Sequence, residues 1–201
     1  MPKTIRNQFD KFLTYENLLK AHFESRKCKN YKKEIILFNL KQEEYIKWLY
    51  EKLKSGEYEH GGYRVFYIKI PKERKVEASK YIDRVVHRWF ADCFLKPHFE
   101  TQFIYTSYAC IKNRGMHKAA LDVQKAMKHC KIIWNDYYII KMDVKKYFQN
   151  IDKDILVNIL KRKIKDEKLM NLLNKIIYST KRKKIYTDSE ITHLKFLLMY
   201  I

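Results

Sequence analysis

Over the first 60 residues the apolar positions recur with a helical period. "TYENLLKAHFESRK" follows Thr14, whose hydroxyl suits the position that caps a helix start. "LKQEEYIKWLYEKLKSG" sets Leu40, Ile46, Leu49, Tyr50 and Leu53 near one face and stops at Gly56, a common C-terminal signal. After Gly61-Gly62 the period changes to two. "YRVFYIKI" alternates, with Arg64, Phe66, Ile68 and Ile70 on one side and Tyr63, Val65, Tyr67 and Lys69 on the other. Pro71, a polar turn and a second short run, "RKVEA", complete a predicted β-hairpin with a basic tip. A helix follows in "SKYIDRVVHRWFADCFLKPHF", its apolar side carried by Val85, Val86, Trp89, Phe90 and Phe94 and its end expected near Pro97.

The next stretch splits in two. Up to Gly115 it is an aromatic loop with a basic turn. Beyond it the pattern predicts a helix carrying Ala119, Ala120, Val123, Ala126, Met127 and Cys130. "YYIIKMD" then predicts a strand that ends at Asp143. Asp152 is placed to cap a helix with Ile155, Leu156, Ile159 and Leu160 inward. A last helix carries Leu169, Leu172, Leu173, Ile176 and Ile177. Helices, a hairpin, more helices and a strand make an α+β pattern with a small antiparallel sheet. No internal repeat is present.

Charge adds the first functional hint. Lys and Arg number 43 against 23 Asp and Glu, a formal net charge of +20. Folding does not need that excess. It favours a polyanionic partner, because neutralised phosphates release condensed counterions. An anionic membrane surface and a lysine-rich compositional bias are the competing explanations. Residues 161–184 alone hold ten Lys or Arg and two acids. No apolar run is long enough to span a membrane, and the N-terminus lacks the apolar core of a secretory signal. Cys28, Cys93, Cys110 and Cys130 form no C-x-x-C pair, so reduced thiols in a cytoplasmic protein are expected.

The residues with candidate chemistry each have two readings. Asp143 at a strand end, with the Val144 carbonyl beside it, could hold a magnesium ion, which prefers hard oxygen donors. It could equally be the polar end of a buried strand. The hairpin tip "KERK" offers Lys72 and Arg74 to phosphates, or is simply a solvated turn. Asp83-Arg84 could be a local pair at a helix start, and Asn113-Arg114-Gly115 a plain turn. Tyr105 and Tyr108 could stack on bases or pack inward. His87 and His117 read as packing or surface residues, since nothing places a nucleophile beside them.

Three segments, in order, resemble one family. "KMDVKKYFQNID" resembles the first palm motif of reverse transcriptases: an Asp, an aliphatic residue, and an aromatic five positions after the Asp. "FYIKIPKERKVEASKYIDRVVHRWF" resembles the fingers hairpin and following helix of the bacterial enzymes. "SYACIKNRGMHKAAL" resembles their next block. The detail is most similar to the enzymes of diversity-generating retroelements, then to those of group II introns and retrons, over roughly residues 35–178. The resemblance implies the fingers and partial palm of a right-hand, RNA-directed DNA polymerase that uses magnesium, with manganese as the alternative ion. It implies Asp143 as catalytic metal ligand and Val144 as carbonyl ligand. It gives Phe148 as the wall that rejects a 2′-hydroxyl, Lys72, Arg74 and Arg84 near the incoming triphosphate, and Asn113 and Arg114 on the template. Partners implied are an RNA template, a primer, deoxynucleoside triphosphates and a retroelement accessory protein, with no membrane. Arg84 has a second reading, as an anchor of the fingers through Asp83.

The pattern departs from the family in three respects: the G-x-P-x-G and S-Q block is missing, the thumb is missing, and so is the motif that closes the metal site. The Tyr-x-Asp-Asp hairpin that completes the metal site is missing, because no two Asp residues are adjacent anywhere in the chain. The expected organisation is a helical extension over 1–60, fingers over 61–135, the start of a palm over 136–178, and an atypical tail over 179–201 that reads as out of frame. The expectation is therefore an N-terminal fragment, inactive alone. The alternatives are a non-catalytic nucleic-acid-binding module and the product of a decayed gene that does not fold stably.

Overall fold

The computed structural model describes residues 4–71, 73–145 and 147–179, and of Arg74, Phe148 and Gln149 the backbone alone. Tail residues 180–201, Lys72 and Lys146 lie outside the described residues. The elements run α1 (Phe9–Phe12), α2 (Tyr15–Arg26), α3 (Lys33–Leu40), α4 (Gln42–Ser55), β1 (Tyr63–Ile68), β2 (Arg74–Ser79) and α5 (Tyr81–Phe90). They continue with a π-helical turn (Ala91–Leu95), α6 (Lys96–Phe99), a 3-10 turn (Glu100–Gln102), α7 (Met116–Trp134), α8 (Tyr147–Asn150), α9 (Lys153–Lys163) and α10 (Glu167–Ile177). The class is α+β, with one two-stranded antiparallel sheet among the described residues. Among them no helix is long and apolar enough to cross a membrane. Two compact units emerge: Met1–His98 with Lys146–Ile201, and Phe99–Lys145.

The core of the first unit follows from the helical stripes. Val85, Val86 and Trp89 are fully buried, and Phe90 and Phe94 nearly so, as the spacing predicts. Trp89 donates its Nε1–H to the Phe12 carbonyl at 3.0 Å and meets the edges of Phe9 and Phe94. Thr14 caps α2 by accepting from the Asn17 N–H, and Gly56 closes α4 in the left-handed region at φ 75°. Asp152 caps α9 through the N–H groups of Asp154 and Ile155. Leu169, Leu172, Leu173, Ile176 and Ile177 of α10 all point inward.

Three helical expectations shift. Leu40 ends α3 and is exposed. In α9 the inward set is Leu156, Val157 and Leu160, while Ile155 is 61% exposed; the stripe is rotated by one residue because Ile164 continues it past the helix end. Pro97 does not end the α5 helix. A widened π-turn precedes it, so the amide that Pro97 lacks falls where the helical ladder is already reset.

An unanticipated feature is the N-terminal clamp. Ile5 bridges Ile164 in parallel, its N–H reaching the Lys163 carbonyl at 2.9 Å and its carbonyl accepting from Lys165. The nearly buried Asp166 takes the N–H groups of Gln8 and Phe9 on Oδ2, at 2.7 and 2.9 Å, and that of Leu169 on Oδ1. One carboxylate thus starts both α1 and α10. Asp166→Ala is expected to cost about 3 kcal/mol, since bonds to a charged acceptor contribute roughly 1.5–3 kcal/mol each and a lost cap about 1. Asp166→Asn, which keeps one acceptor oxygen, should lose about half as much. Urea midpoints of the two variants give the comparison, and equal, small losses would refute the double cap.

Candidate nucleic-acid and catalytic site

In the first unit the hairpin pairs Tyr63 with Ser79 at its root and Ile68 with Arg74 beside its turn. The root is locked by Asp83, which is 1% exposed. Its carboxylate accepts from the Tyr58 hydroxyl at 2.7 Å and from the Gly61 N–H at 3.1 and 3.2 Å. A Cβ at Gly61 would meet Asp83 Oδ2 and Lys80 Cδ at 3.1 Å, so any larger residue there has to push these side chains back by a few tenths of an ångström. Burial first, then the neighbouring Asp83 charge, push the Tyr58 hydroxyl pKa far up, so it remains a donor. His60 stacks between Tyr63 at 4.7 Å and the buried His87 at 5.3 Å, and burial pulls its pKa down. Lys175 reaches across to the Gly56 and Tyr58 carbonyls and to Glu59, at 2.7–2.9 Å.

Arg84 points elsewhere. It pairs with Glu34 of α3 and lies over the Tyr81 ring at 5.3 Å, its side chain 12% exposed. It anchors α5 to α3, and its acid partner is Glu34, whereas Asp83 serves Tyr58 and Gly61. Lys72 falls outside the described residues. Arg74 is described in backbone only, opposite Ile68. Phe148 lies in α8, again in backbone only.

In the second unit Arg114 organises the aromatic loop. Its Nη1 donates to the carbonyls of Ile104, Tyr105 and Ser107 at 2.9–3.3 Å, and its guanidinium lies 5.6 Å from the centre of the Tyr105 ring. Asn113 precedes it, exposed, at φ 62°, a conformation Asn tolerates. Asp122 of α7 accepts from Tyr108 at 2.8 Å and Lys118 at 2.7 Å, and these bonds hold its carboxyl below the usual range. His117 is exposed at the start of the helix, as expected of a surface residue.

Two expectations fail in this unit. Residues 136–144 form no strand; the segment is irregular. A strand is a relation between two segments, and no described residue offers a ladder to this one. Ile140 and Met142 are accordingly 79% and 86% exposed. The stripe on α7 is also uncovered: none of its residues is buried, and Val123 and Trp134 are 54% and 65% exposed.

Asp143 is exposed on that segment, and Val144 follows at 66% exposure. Among the described residues no three His, Cys, Asp or Glu side chains gather where they could hold a metal ion. Two magnesium ions need more oxygen donors than one carboxylate and one carbonyl provide. The described residues therefore do not fit a complete two-metal centre, and no metal-assisted step is derived for them.

Sequence reasoning passed over Asp166, Lys175, Glu34 and the buried role of Asp83. Only the Asp83–Gly61 pairing had a signal, since a Gly-Gly before a strand marks a close backbone approach.

No family model matches the sequence. The chain is similar to a COX1/OXI3 intron 2 protein of Saccharomyces cerevisiae, with 26% identity over 117 residues. That stretch covers 58% of this chain and 12% of the yeast protein, so the chain spans about an eighth of that relative's length.

Proposed function

We propose that these residues are the fingers and first palm block of an intron-encoded reverse transcriptase, an RNA-directed DNA polymerase. What carries the reading is the order of blocks: a basic-tipped hairpin whose root Asp83 secures, the helix it runs into, the Arg114 loop leading into α7, and then Asp143. The likeness to an intron protein supports the intron-encoded branch of the resemblance over the diversity-generating one. In the intact enzyme a primer 3′-hydroxyl attacks the α-phosphate of a deoxynucleotide and pyrophosphate leaves. Lys72 and Arg74 would face the triphosphate, Phe148 the sugar, and Asn113 and the Arg114 loop the RNA template. Arg84 would act by position, through Glu34. Asp143 and the Val144 carbonyl would serve as magnesium or manganese ligands only beside further carboxylates, which the described residues do not gather there. A retroelement accessory protein and a cytoplasmic setting belong to the same proposal.

A second reading, a non-catalytic nucleic-acid-binding module, is favoured by one observation: among the described residues no group of three His, Cys, Asp or Glu gathers where it could hold a metal ion, at Asp143 or elsewhere.

The 201-residue chain is expected to bind a primed RNA template without extending it in magnesium and deoxynucleotides. Its affinity should fall with salt, with a log–log slope of about −0.7 per phosphate contacted on single strands. In a protein joined to a block carrying the adjacent Asp pair, Asp143→Ala should abolish primer extension. Undiminished extension after that change would leave only the binding module, and no binding to any nucleic acid would end both readings.

A further inference from the structure

We propose that the cavity between the end of α4 and α10 is a binding site for one nucleoside monophosphate unit, its base on the apolar floor and its phosphate on the lysine rim. The cavity measures about 390 Å³, within the range of small-molecule sites. Its floor is apolar and rigid: Phe9, Leu53, Tyr58 and Leu172 are each at most 5% exposed. Phe9 is fixed by Trp89, and the Tyr58 hydroxyl is committed to Asp83. Those two residues bring ring surface to the floor without an unsatisfied hydroxyl, which suits a flat base.

The rim is cationic. Lys54, Lys168 and Lys175 line the cavity, and no acidic residue does. The three differ in what they can give. Lys175 is spent on two carbonyls and Glu59, and shapes the wall. Lys168 is held at the mouth by an exposed pair with Asp10 at 2.8 Å. Such a pair contributes at most about 1 kcal/mol, so a phosphate dianion can displace it. Lys54 lies over Tyr50 at 5.5 Å. Lys54 and Lys168 are the two ammonium groups that the proposal assigns to the phosphate. Ser55 and Asn171 also line the cavity, and an Asn amide offers both the donor and the acceptor that a base edge needs.

Neighbouring hollows lack this combination. The one over Asp166, about 330 Å³, sets Asp10, Asp166 and Glu167 against Lys165 and Lys168, and the one at Trp48, about 300 Å³, has Glu44 and no cation in its wall.

The unit can arrive free or as an unstacked nucleotide of a bound RNA strand. Isothermal titration of the 201-residue chain with adenosine 5′-monophosphate, with inorganic phosphate and with a single-stranded RNA oligonucleotide separates the sources. Asn171→Trp plugs the mouth from an exposed helix position, Lys54→Glu reverses the rim, and Lys161→Glu is the control on a basic surface outside the cavity. Far-UV circular dichroism checks that each variant is folded. Adenosine monophosphate should bind more tightly than phosphate. It should be lost in Asn171→Trp, weakened about tenfold in Lys54→Glu, as for loss of one charge-assisted contact, and unchanged in Lys161→Glu. If RNA affinity also drops in Asn171→Trp beyond the control, the nucleotide comes from a strand. If only the mononucleotide is lost, it comes free. Nucleotide binding that ignores both cavity variants, or its absence together with equal RNA affinity in all variants, overturns the proposal. Failure to bind RNA at all, with the mononucleotide still bound, would count against the polymerase reading and leave the cavity assignment standing.

Discussion

Trp89→Ala should cost about 4 kcal/mol, the largest single loss open to a core truncation of this kind. The indole is fully buried at the meeting of α1, α5 and the π-turn. Truncation removes the ring contacts to Phe9 and Phe94 and leaves the Phe12 carbonyl without its 3.0 Å donor. A domain of this size is stable by only about 5–15 kcal/mol, so about a quarter or more of the margin is at stake. Trp89→Phe keeps most of the apolar area and loses the hydrogen bond, and should cost less than half as much. Urea denaturation followed by circular dichroism measures both. A loss below about 1 kcal/mol for the alanine variant would show that α1 does not rest on this residue.

Acid should begin to weaken the fold at a pH above the range in which carboxylates are protonated. His22 is fully buried, stacked on Phe38 at 4.7 Å and bonded through Nδ1 to the Tyr81 hydroxyl at 3.0 Å. Burial, and then the nearby Arg26 charge, pull its pKa down to about 4, while the unfolded chain keeps the ordinary value of 6.5. Above pH 6.5 both states are neutral and the contribution is complete. Between pH 6.5 and 4 the unfolded chain takes up a proton that the folded chain refuses, so stability falls as pH falls. Each pH unit in that window is worth up to about 1.4 kcal/mol, or roughly 3 kcal/mol across it. His60 and His98, also lowered by burial, act in the same direction. Unfolding free energies at pH 7.5 and 4.5 should differ by several kcal/mol in the native chain and by markedly less in His22→Phe. An equal drop in both would remove His22 as the cause.

What could be foreseen divides along a physical line. Local order was legible. Val85, Val86, Trp89, Phe90 and Phe94 repeat at helical spacing, the hairpin alternates between a Gly pair and a Pro, and Thr14 and Asp152 are cap residues by type. Relations between distant segments were not. Asp166 sits in "KDEK", where a charge run suggests a solvated turn, yet its carboxylate receives amides from 157 and 158 positions away. Arg84 could be expected to find an acid, but Glu34 lies 50 residues upstream. The apolar stripe of α7 and the run ending at Asp143 have the right periods for burial, and period says nothing about whether a covering surface exists. The candidate site was legible as a series of motifs; the set of carboxylates that would make Asp143 chemical was not there to be read.

That uncovered helix has a consequence for how the chain melts. The 19 residues of α7 spend backbone entropy on order while burying no side chain, so they resemble an isolated helix, marginal in water at this length. The body holding Trp89 has a shared core and loses it all at once. Among the described residues the helix has no buried core to share, so its amides are expected to exchange with solvent by local opening, at a lower free energy than those around Trp89.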